Sequence, residues 1–359
     1  MKKVVIFGTR PEFIKLLPLI REINIRKKRK DYHFIFTGQQ SEIIKEIIHQ
    51  FNFRPDEEIK FKDHKNDLAS SFSYLFHEIN KRITDLNNKT GCTVIIAQGD
   101  TTTCVCASMV AFMSKIPFAH IEAGLRTGQL NNPWPEEYYR KIISVASTLH
   151  FTPTKQASLN LIREGVSKKN IFLTGNTVVD FIADNFHAPE KRGKEKIIVI
   201  TIHRRENQES VVRKLILQIL KLSEELQDYK IIWIKHPAIE KTGHYSLLAG
   251  KKNISVLSPL PVLELYQLLR RSSLVITDSG GLQEECPSFN LPALIIRENT
   301  ERNESIDLKY AFLIKHVGNN FTSIVKKVLN SNYPQMKNPF GKGVAAKKIL
   351  DILEDKFKH

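Results

Sequence analysis

The stretch LVITDSGGLQEE, Leu274–Glu285, joins a short apolar run to a helix-like segment through Asp-Ser-Gly-Gly. So short a run, rich in β-branched residues, reads as a strand covered on both faces. The glycines permit a tight turn or the close approach of a ligand, and free N–H groups at the start of the next helix favour an anion such as phosphate. A plain strand-to-helix turn satisfies the same residues, so the rest of the chain has to decide.

The same unit recurs along the sequence. Strand patterns begin at Lys3, His33, Thr93, Phe118, Leu149 and Ile171, and again at Ile197, Ile231, Ile254, Leu274, Ala293 and Phe312. Helical patterns separate them. In Glu12–Ile23, for example, Phe13, Leu16, Leu17, Ile20 and Ile23 share one face. Apolar strands alternating with helices indicate parallel sheets covered on both sides. The alternation restarts after APEKRGKEK, Ala188–Lys196, which reads as a linker. The expectation is an α/β fold with two doubly wound, Rossmann-like domains, 1–175 and 176–345, whose sheets face a central cleft. A C-terminal helix, 346–359, is expected to pack back on the first domain.

The chain of 359 residues is long enough for two such domains, and 42% hydrophobic with 26% charged residues is the balance of a globular protein. No apolar run approaches the roughly 18 residues of a membrane span. The apolar part of MKKVVIFGTR is too short for an export signal, which leads to the expectation of a cytoplasmic protein. Cys92, Cys104, Cys106 and Cys286 form no zinc-type spacing and read as reduced, buried residues. The net charge of +16 is concentrated in runs such as Arg26–Lys30 that lack interleaved aromatics. A solvated basic surface that draws in an anionic small molecule fits these runs better than a nucleic-acid partner.

Nearly every unusual polar group falls at the carboxyl end of an expected strand. Arg10 and Lys15 follow the first, Asp100 the third, and Glu122 and Arg126 the fourth. Glu136 and Glu137 open a helix after a Pro-rich loop. His203, Arg204, Arg205 and Glu206 follow the first strand of the second half. Each has a purely structural alternative. Asp100 can cap a helix, Glu122 can pair with Arg126, Glu136 can sit on a helix N-terminus, and His203 can belong to a core. Taken together, carboxylates and a histidine from both halves converge on one expected cleft, as proton-transfer chemistry requires. No chelating cluster implies a metal, and no G-x-G-x-x-G follows a strand, so no cofactor is expected.

Read in order, FGTRPEFIK, GDTTT, HIEAGLRTG, PWPEE, LTGNTVVD, HRREN, TDSGGLQEE and ENTER closely resemble the UDP-N-acetylglucosamine 2-epimerase family, especially its non-hydrolysing bacterial members. The resemblance runs from Lys3 to about Ile349. It implies a GT-B-like arrangement, a UDP-sugar substrate, a homodimer and no membrane insertion. It also implies C2 epimerisation through a 2-acetamidoglucal. Asp100, Glu122, Glu136 and His203 would be catalytic. Arg10, Lys15, Arg126, Arg204, His236, Ser279, Gly280, Gly281 and Glu285 would bind substrate, the Ser-Gly-Gly turn taking the diphosphate and Glu285 the ribose. Departures from the family pattern include Tyr139 before Arg140, Asn303 after the ENTER motif, and Gln40 in place of a histidine beside an expected effector site that also involves Glu42 and Lys65. A hydrolysing epimerase, an epimerase of a modified sugar and a GT-B glycosyltransferase are the competing readings. Simple glycosyl transfer has no use for carboxylates that work on a C2 proton.

Overall fold

Short apolar runs become strands here because helices cover both faces of each sheet. The computed structural model describes residues 1–39, 41–61, 67–186, 196–203, 210–240, 243–333 and 336–358. The first sheet contains β1 (Lys2–Phe7), β2 (Tyr32–Phe36), β3 (Glu57–Glu58), β4 (Cys92–Gln98), β5 (Phe118–Ile121), β6 (Leu149–Thr152) and β7 (Ile171–Leu173). Its helices are α1 (Arg10–Ile25), α2 (Ser41–Gln50), α3 (Leu68–Thr90), α4 (Thr102–Met113), α5 (Glu136–Ala146), α6 (Lys155–Arg163) and α7 (Thr177–Asn185). The second sheet contains β8 (Ile197–Thr201), β9 (Lys230–Ile234), β10 (Ile254–Leu257), β11 (Leu274–Thr277), β12 (Ala293–Ile296) and β13 (Ala311–Ile314). The helices α8 (Ser210–Glu225), α9 (Pro237–Glu240), α10 (Val262–Arg271), α11 (Gly280–Glu285), α12 (Asn303–Asp307) and α13 (Phe321–Asn330) accompany it, and α14 (Ala345–Lys356) closes the chain.

All pairings in both sheets are parallel. The strand orders among the described residues are β3-β2-β1-β4-β5-β6-β7 and β10-β9-β8-β11-β12-β13. In each sheet the chain winds outward from one strand and then returns to that strand's other side. The reversals fall between β1 and β4 and between β8 and β11. Ligands of such sheets bind beyond the carboxyl ends of the strands at these reversals. The segments there are Gly8–Arg10 with Gly99–Asp100 in one sheet, and Ile202–His203 with Asp278–Gly281 in the other.

All twelve expected strands are present. β3 was not expected, because two glutamates carry no apolar signal; it pairs with β2 at the sheet edge. The four cysteines are free and buried. Among the described residues no helix is long and apolar enough to cross a membrane. Gln40, Lys65, Arg204, Arg205, Glu206 and the expected linker up to residue 195 lie outside the described residues.

The chain forms two compact units, Met1–Asn185 with Phe340–His359, and Phe186–Pro339. The crossings thus differ from the boundaries expected after residues 175 and 345. The reason is burial. α7 packs on α1 and α14, and Val178 and Val179 form one apolar cluster with Phe340. The last helix is tied to the same place. Asp180 Oδ1 accepts the Ala346 N–H at 2.8 Å, and Arg26 Nη2 pairs with Asp351 at 2.7 Å. Ile349, Leu350 and Leu353 are fully buried. Leu350→Ala is therefore expected to cost about 2–5 kcal/mol, the cost of a core cavity. Urea denaturation followed by circular dichroism reads this directly, and an unchanged midpoint would show that α14 contributes little.

Candidate active site

Thr9-Arg10-Pro11-Glu12 is a capping box, the Thr-x-x-Glu pattern that starts a helix. Its glutamate does more than cap. Glu12 Oε2 accepts the Gly8 and Thr9 N–H groups at 2.9 and 2.7 Å, and Oε1 accepts the Thr101 hydroxyl at 2.6 Å. Glu12 is 1% exposed, and burial pushes its carboxyl above the usual range against the pull of these hydrogen bonds. One buried side chain thus ties the loop after β1 to the loop after β4.

Glu122 stands just past β5 with φ of +69°, a left-handed conformation that non-glycine residues rarely adopt and that marks local strain at functional sites. Its Oε2 accepts hydrogen bonds from Gln98 Nε2 at 3.0 Å and Asn176 Nδ2 at 2.8 Å, and pairs with the Lys15 ammonium. Three donors from β4, α1 and the start of α7 converge on one oxygen, the arrangement of a carboxylate acceptor. Lys15 and Glu122 are both nearly buried. Asn176 also binds the returning chain, its N–H donating to the Phe340 carbonyl at 2.6 Å.

Asp100 lies at the end of β4. The cap of α4 is Thr101, whose hydroxyl accepts the Cys104 N–H, so the Asp100 carboxylate is not consumed in capping. Arg140 reaches it from α5 with Nε at 2.8 Å and Nη2 at 2.7 Å, and gives Nη1 to Glu137 at 3.0 Å. Glu137 is fully buried and also accepts the N–H groups of Thr127 and Gly128. Of the two glutamates that open α5, Glu137 therefore anchors the preceding loop. Glu136, the first residue of the helix, is half-buried.

In the second unit His203 follows β8. Its N–H donates to Asp278 Oδ1 and Oδ2 at 3.0 and 3.2 Å, and its Nδ1 lies 2.8 Å from Oδ1. The His236 ring stands 6.2 Å away, and burial and the neighbouring His203 push its pKa down. Ser279 caps α11, accepting the Leu282 N–H. A Cβ on Gly280 would stand 2.7 Å from Arg302 Nη1 and one on Gly281 3.1 Å from Glu285 Oε1, so the turn is built for glycine. Behind it, Arg302 pairs with Glu301 and with Glu284 at 2.8 Å, Arg297 pairs with Glu301 at 2.8 Å, and Thr300 donates to Gln283 at 2.7 Å. Thr300, Glu301 and Arg302 of the ENTER segment are thus the buried backing of the Ser-Gly-Gly turn.

Among the residues singled out from sequence, Asp100, Glu122, Glu136, Arg10 and Lys15 lie around the carboxyl ends of the first sheet. His203, His236, Ser279, Gly280, Gly281 and Glu285 do so in the second. Arg204 is outside the described residues. Arg126 was expected to bind substrate, but its guanidinium forms a bidentate pair with Glu164 at 2.9 and 2.7 Å and donates to Ser144 and the Leu125 carbonyl. Its geometry is that of a structural cross-link between loop, α5 and α6. Glu137 was named only beside Glu136, and Glu12, Gln98, Arg140, Asn176, Asp278 and Arg302 were given no role. The capping-box spacing signals Glu12; the others are recognised only once strand ends are brought together.

Two parallel sheets, each carrying its polar residues at the carboxyl ends beside a topological reversal, define a two-domain α/β protein of the doubly wound, GT-B-like class. A sequence model of the family described as UDP-N-acetylglucosamine 2-epimerase matches residues 23–354. The chain is 37% identical to the UDP-N-acetylglucosamine 2-epimerase of Salmonella borreze, over 99% of this chain and 100% of that one. The crystal structure of the Neisseria meningitidis UDP-GlcNAc 2-epimerase bound to UDP-GlcNAc superposes with a TM-score of 0.90 at 31% identity, covering 99% of this chain and 100% of that one. The Methanocaldococcus jannaschii enzyme in complex with UDP-GlcNAc and UDP gives 0.87 at 32% identity, with coverage of 99% and 100%. The chain belongs to the UDP-N-acetylglucosamine 2-epimerase family.

One support of the site titrates. His120 on β5 has Nε2 at 2.7 Å from the Gly99 carbonyl, beside Asp100, so Nε2–H donates and the ring is neutral. Burial pushes its pKa down to about 4, and that of His150, its register partner on β6, down to about 3. In the unfolded chain both titrate near about 6.5, so between these values the unfolded state binds more protons. Their contribution to stability is complete above about pH 6.5 and is lost as pH falls through the folded values. The melting temperature is expected to drop from pH 6.5 to 4, less steeply in His120→Gln. Parallel melting curves for the two proteins across that range would remove His120 from the effect.

Proposed function

We propose that the protein is a non-hydrolysing UDP-N-acetylglucosamine 2-epimerase that interconverts UDP-GlcNAc and UDP-ManNAc for cell-surface polysaccharide synthesis. The observation that carries the reading is Glu122, a strained carboxylate held by Lys15, Gln98 and Asn176 at the carboxyl end of the first sheet, in a chain of this family. Relatives of known structure bound to UDP-GlcNAc support the substrate.

The first unit handles the sugar ring. A carboxylate takes the C2 proton, the C2–H electron pair becomes the C1=C2 bond of a 2-acetamidoglucal, and the C1–O pair leaves with UDP. The β-phosphate oxygen then adds back to C1 while a carboxylic acid delivers a proton to the opposite face of C2. Asp100, Glu122 and Glu136 are the acid and base groups. The pair exchanges its proton with water to reset, which carries solvent hydrogen into the product. Arg10 and Lys15 meet the nucleotide sugar from α1. The second unit handles UDP. Ser279, Gly280 and Gly281 take the diphosphate, Glu285 the ribose hydroxyls, and His203, Arg204 and His236 the leaving phosphate. Fixed donors stabilise the departing charge and keep UDP within reach of the glucal.

Incubation with UDP-GlcNAc in deuterated water, followed by NMR, tests this. Intact UDP-ManNAc deuterated at C2 is expected. Free ManNAc would turn the reading to a hydrolysing enzyme, and no exchange would remove the epimerase. Asp100→Asn, Glu122→Gln and Glu136→Gln are each expected to fold and to lose about 10²–10⁴-fold in turnover. Near wild-type activity in any one excludes that residue from the chemistry.

We also propose a homodimer. α4 and α5 pack together and both run back from carboxyl ends of parallel strands, so their C-terminal ends lie together. Phe112, Met113 and Val145 there are 68%, 63% and 86% exposed. Apolar exposure of this kind marks an association surface. Light scattering is expected to give twice the chain mass for the wild type and the single-chain mass for Phe112→Lys/Val145→Lys. A wild-type monomer would end the proposal.

A further inference from the structure

Asp278 is fully buried at the end of β11, yet its carboxylate is turned toward the end of β8. It accepts the backbone N–H of His203 with both oxygens and meets the same residue's Nδ1 at 2.8 Å. A single buried carboxylate therefore fixes both the main chain and the ring of one residue. Histidine presents two ring nitrogens, and the hydrogen bond made by one decides the state of the other. An aspartate oxygen cannot donate here while ionised, so Nδ1 carries the hydrogen and Nε2 is left to meet a ligand.

We propose that Asp278 is a positioning residue for the reaction, acting through His203: it holds the ring in its Nδ1–H form so that Nε2 is the nitrogen that faces the diphosphate. The assignment rests on the function proposed above. When Nε2 is protonated, the imidazolium charge sits opposite a carboxylate that burial shields from water, and Nε2–H is directed at the oxygen on which charge develops. As the C1–O bond breaks, its electron pair moves onto the β-phosphate oxygen and Nε2–H hydrogen-bonds to it without leaving the ring. Preorganised donors of this kind are worth more than donors that must first be oriented. Asp278 and the His236 ring both stand beside His203, and the His236 main chain does not compete for Asp278, because its N–H donates to the Tyr245 hydroxyl at 3.1 Å. The role explains why the Asp of TDSGG precedes the serine: the serine caps the helix while the aspartate serves the other side of the reversal.

The test uses the full chain labelled with 15N-histidine. Loss of one set of ring signals in His203→Gln assigns His203. In the wild type with a neutral ring, Nδ1 is expected to show the shift of a protonated nitrogen and Nε2 that of an unprotonated one. A neutral ring protonated on Nε2 would overturn the proposal, and this reading needs no variant of Asp278. Asp278→Asn, whose amide can donate to Nδ1, is expected to shift the neutral ring toward the Nε2–H form. Its kcat should fall by about 10²–10³-fold with KM within a few-fold of wild type. Normal kcat per folded molecule, or an unchanged tautomer in folded Asp278→Asn, would also overturn it. If the wild type shows neither turnover nor C2 exchange with UDP-GlcNAc, the proposed function fails, while the ring signals still judge the pairing of Asp278 with His203.

Discussion

A doubly wound sheet must reverse its strand order, and the reversal leaves two neighbouring strand ends with loops diverging to opposite faces. Backbone N–H groups there have no strand partner and must find one. In this protein a buried carboxylate meets the need in each sheet. Glu12 joins the ends of β1 and β4, and Asp278 joins the ends of β11 and β8. The rest of the candidate site is arranged around these two cross-braces. Gly8, Thr9 and Thr101 are fixed by the first, His203 by the second.

The two braces are chemically similar but serve different ends. Glu12 accepts three neutral donors and holds backbone in place. Asp278 also takes an imidazole nitrogen, so it holds a group that can change charge. The surrounding polar residues follow the same division. Glu137–Arg140–Asp100 and Glu284–Arg302–Glu301–Arg297 are paired almost wholly within the protein. Removing one member of such a chain leaves a buried charge without compensation, which costs more than the intact pair contributes. These networks therefore resist piecemeal change: Glu137 and Arg140 place the Asp100 carboxylate, and Arg302 and Glu301 lie behind the Ser-Gly-Gly turn.

The fold was legible because strand periodicity is local. Each apolar run, such as Ile197–Thr201, announces itself within a few residues. Glu57–Glu58 did not, since its pairing is decided by β2 and not by its own side chains. The crossings between units were misplaced for a related reason. Val178 and Val179 look like the start of any helix, and only their packing with Phe340, some 160 residues later, assigns them to the first unit. At the site, residues that present chemistry at a strand end were visible, as with Asp100, Glu122 and His203. Their supports were not. Asn176 and Gln98 are ordinary amides until three chain segments meet at Glu122. Arg126 lies four residues from Glu122 in sequence, but its ion-pair partner in space is Glu164, just past α6, which no local pattern announces.

The return of the chain through Phe340 to α14 has a consequence for biosynthesis. The second unit is one unbroken stretch, Phe186–Pro339, whereas the first is assembled from the segments on either side of it, Met1–Asn185 and Phe340–His359. On the ribosome, the earlier-made unit waits with α1 and α7 bare of their covering helix until α14 has been made. The later-made unit meanwhile has every segment that it needs. The order of completion is thereby opposite to the order of synthesis, and α14 acts as the latch that completes the unit made first.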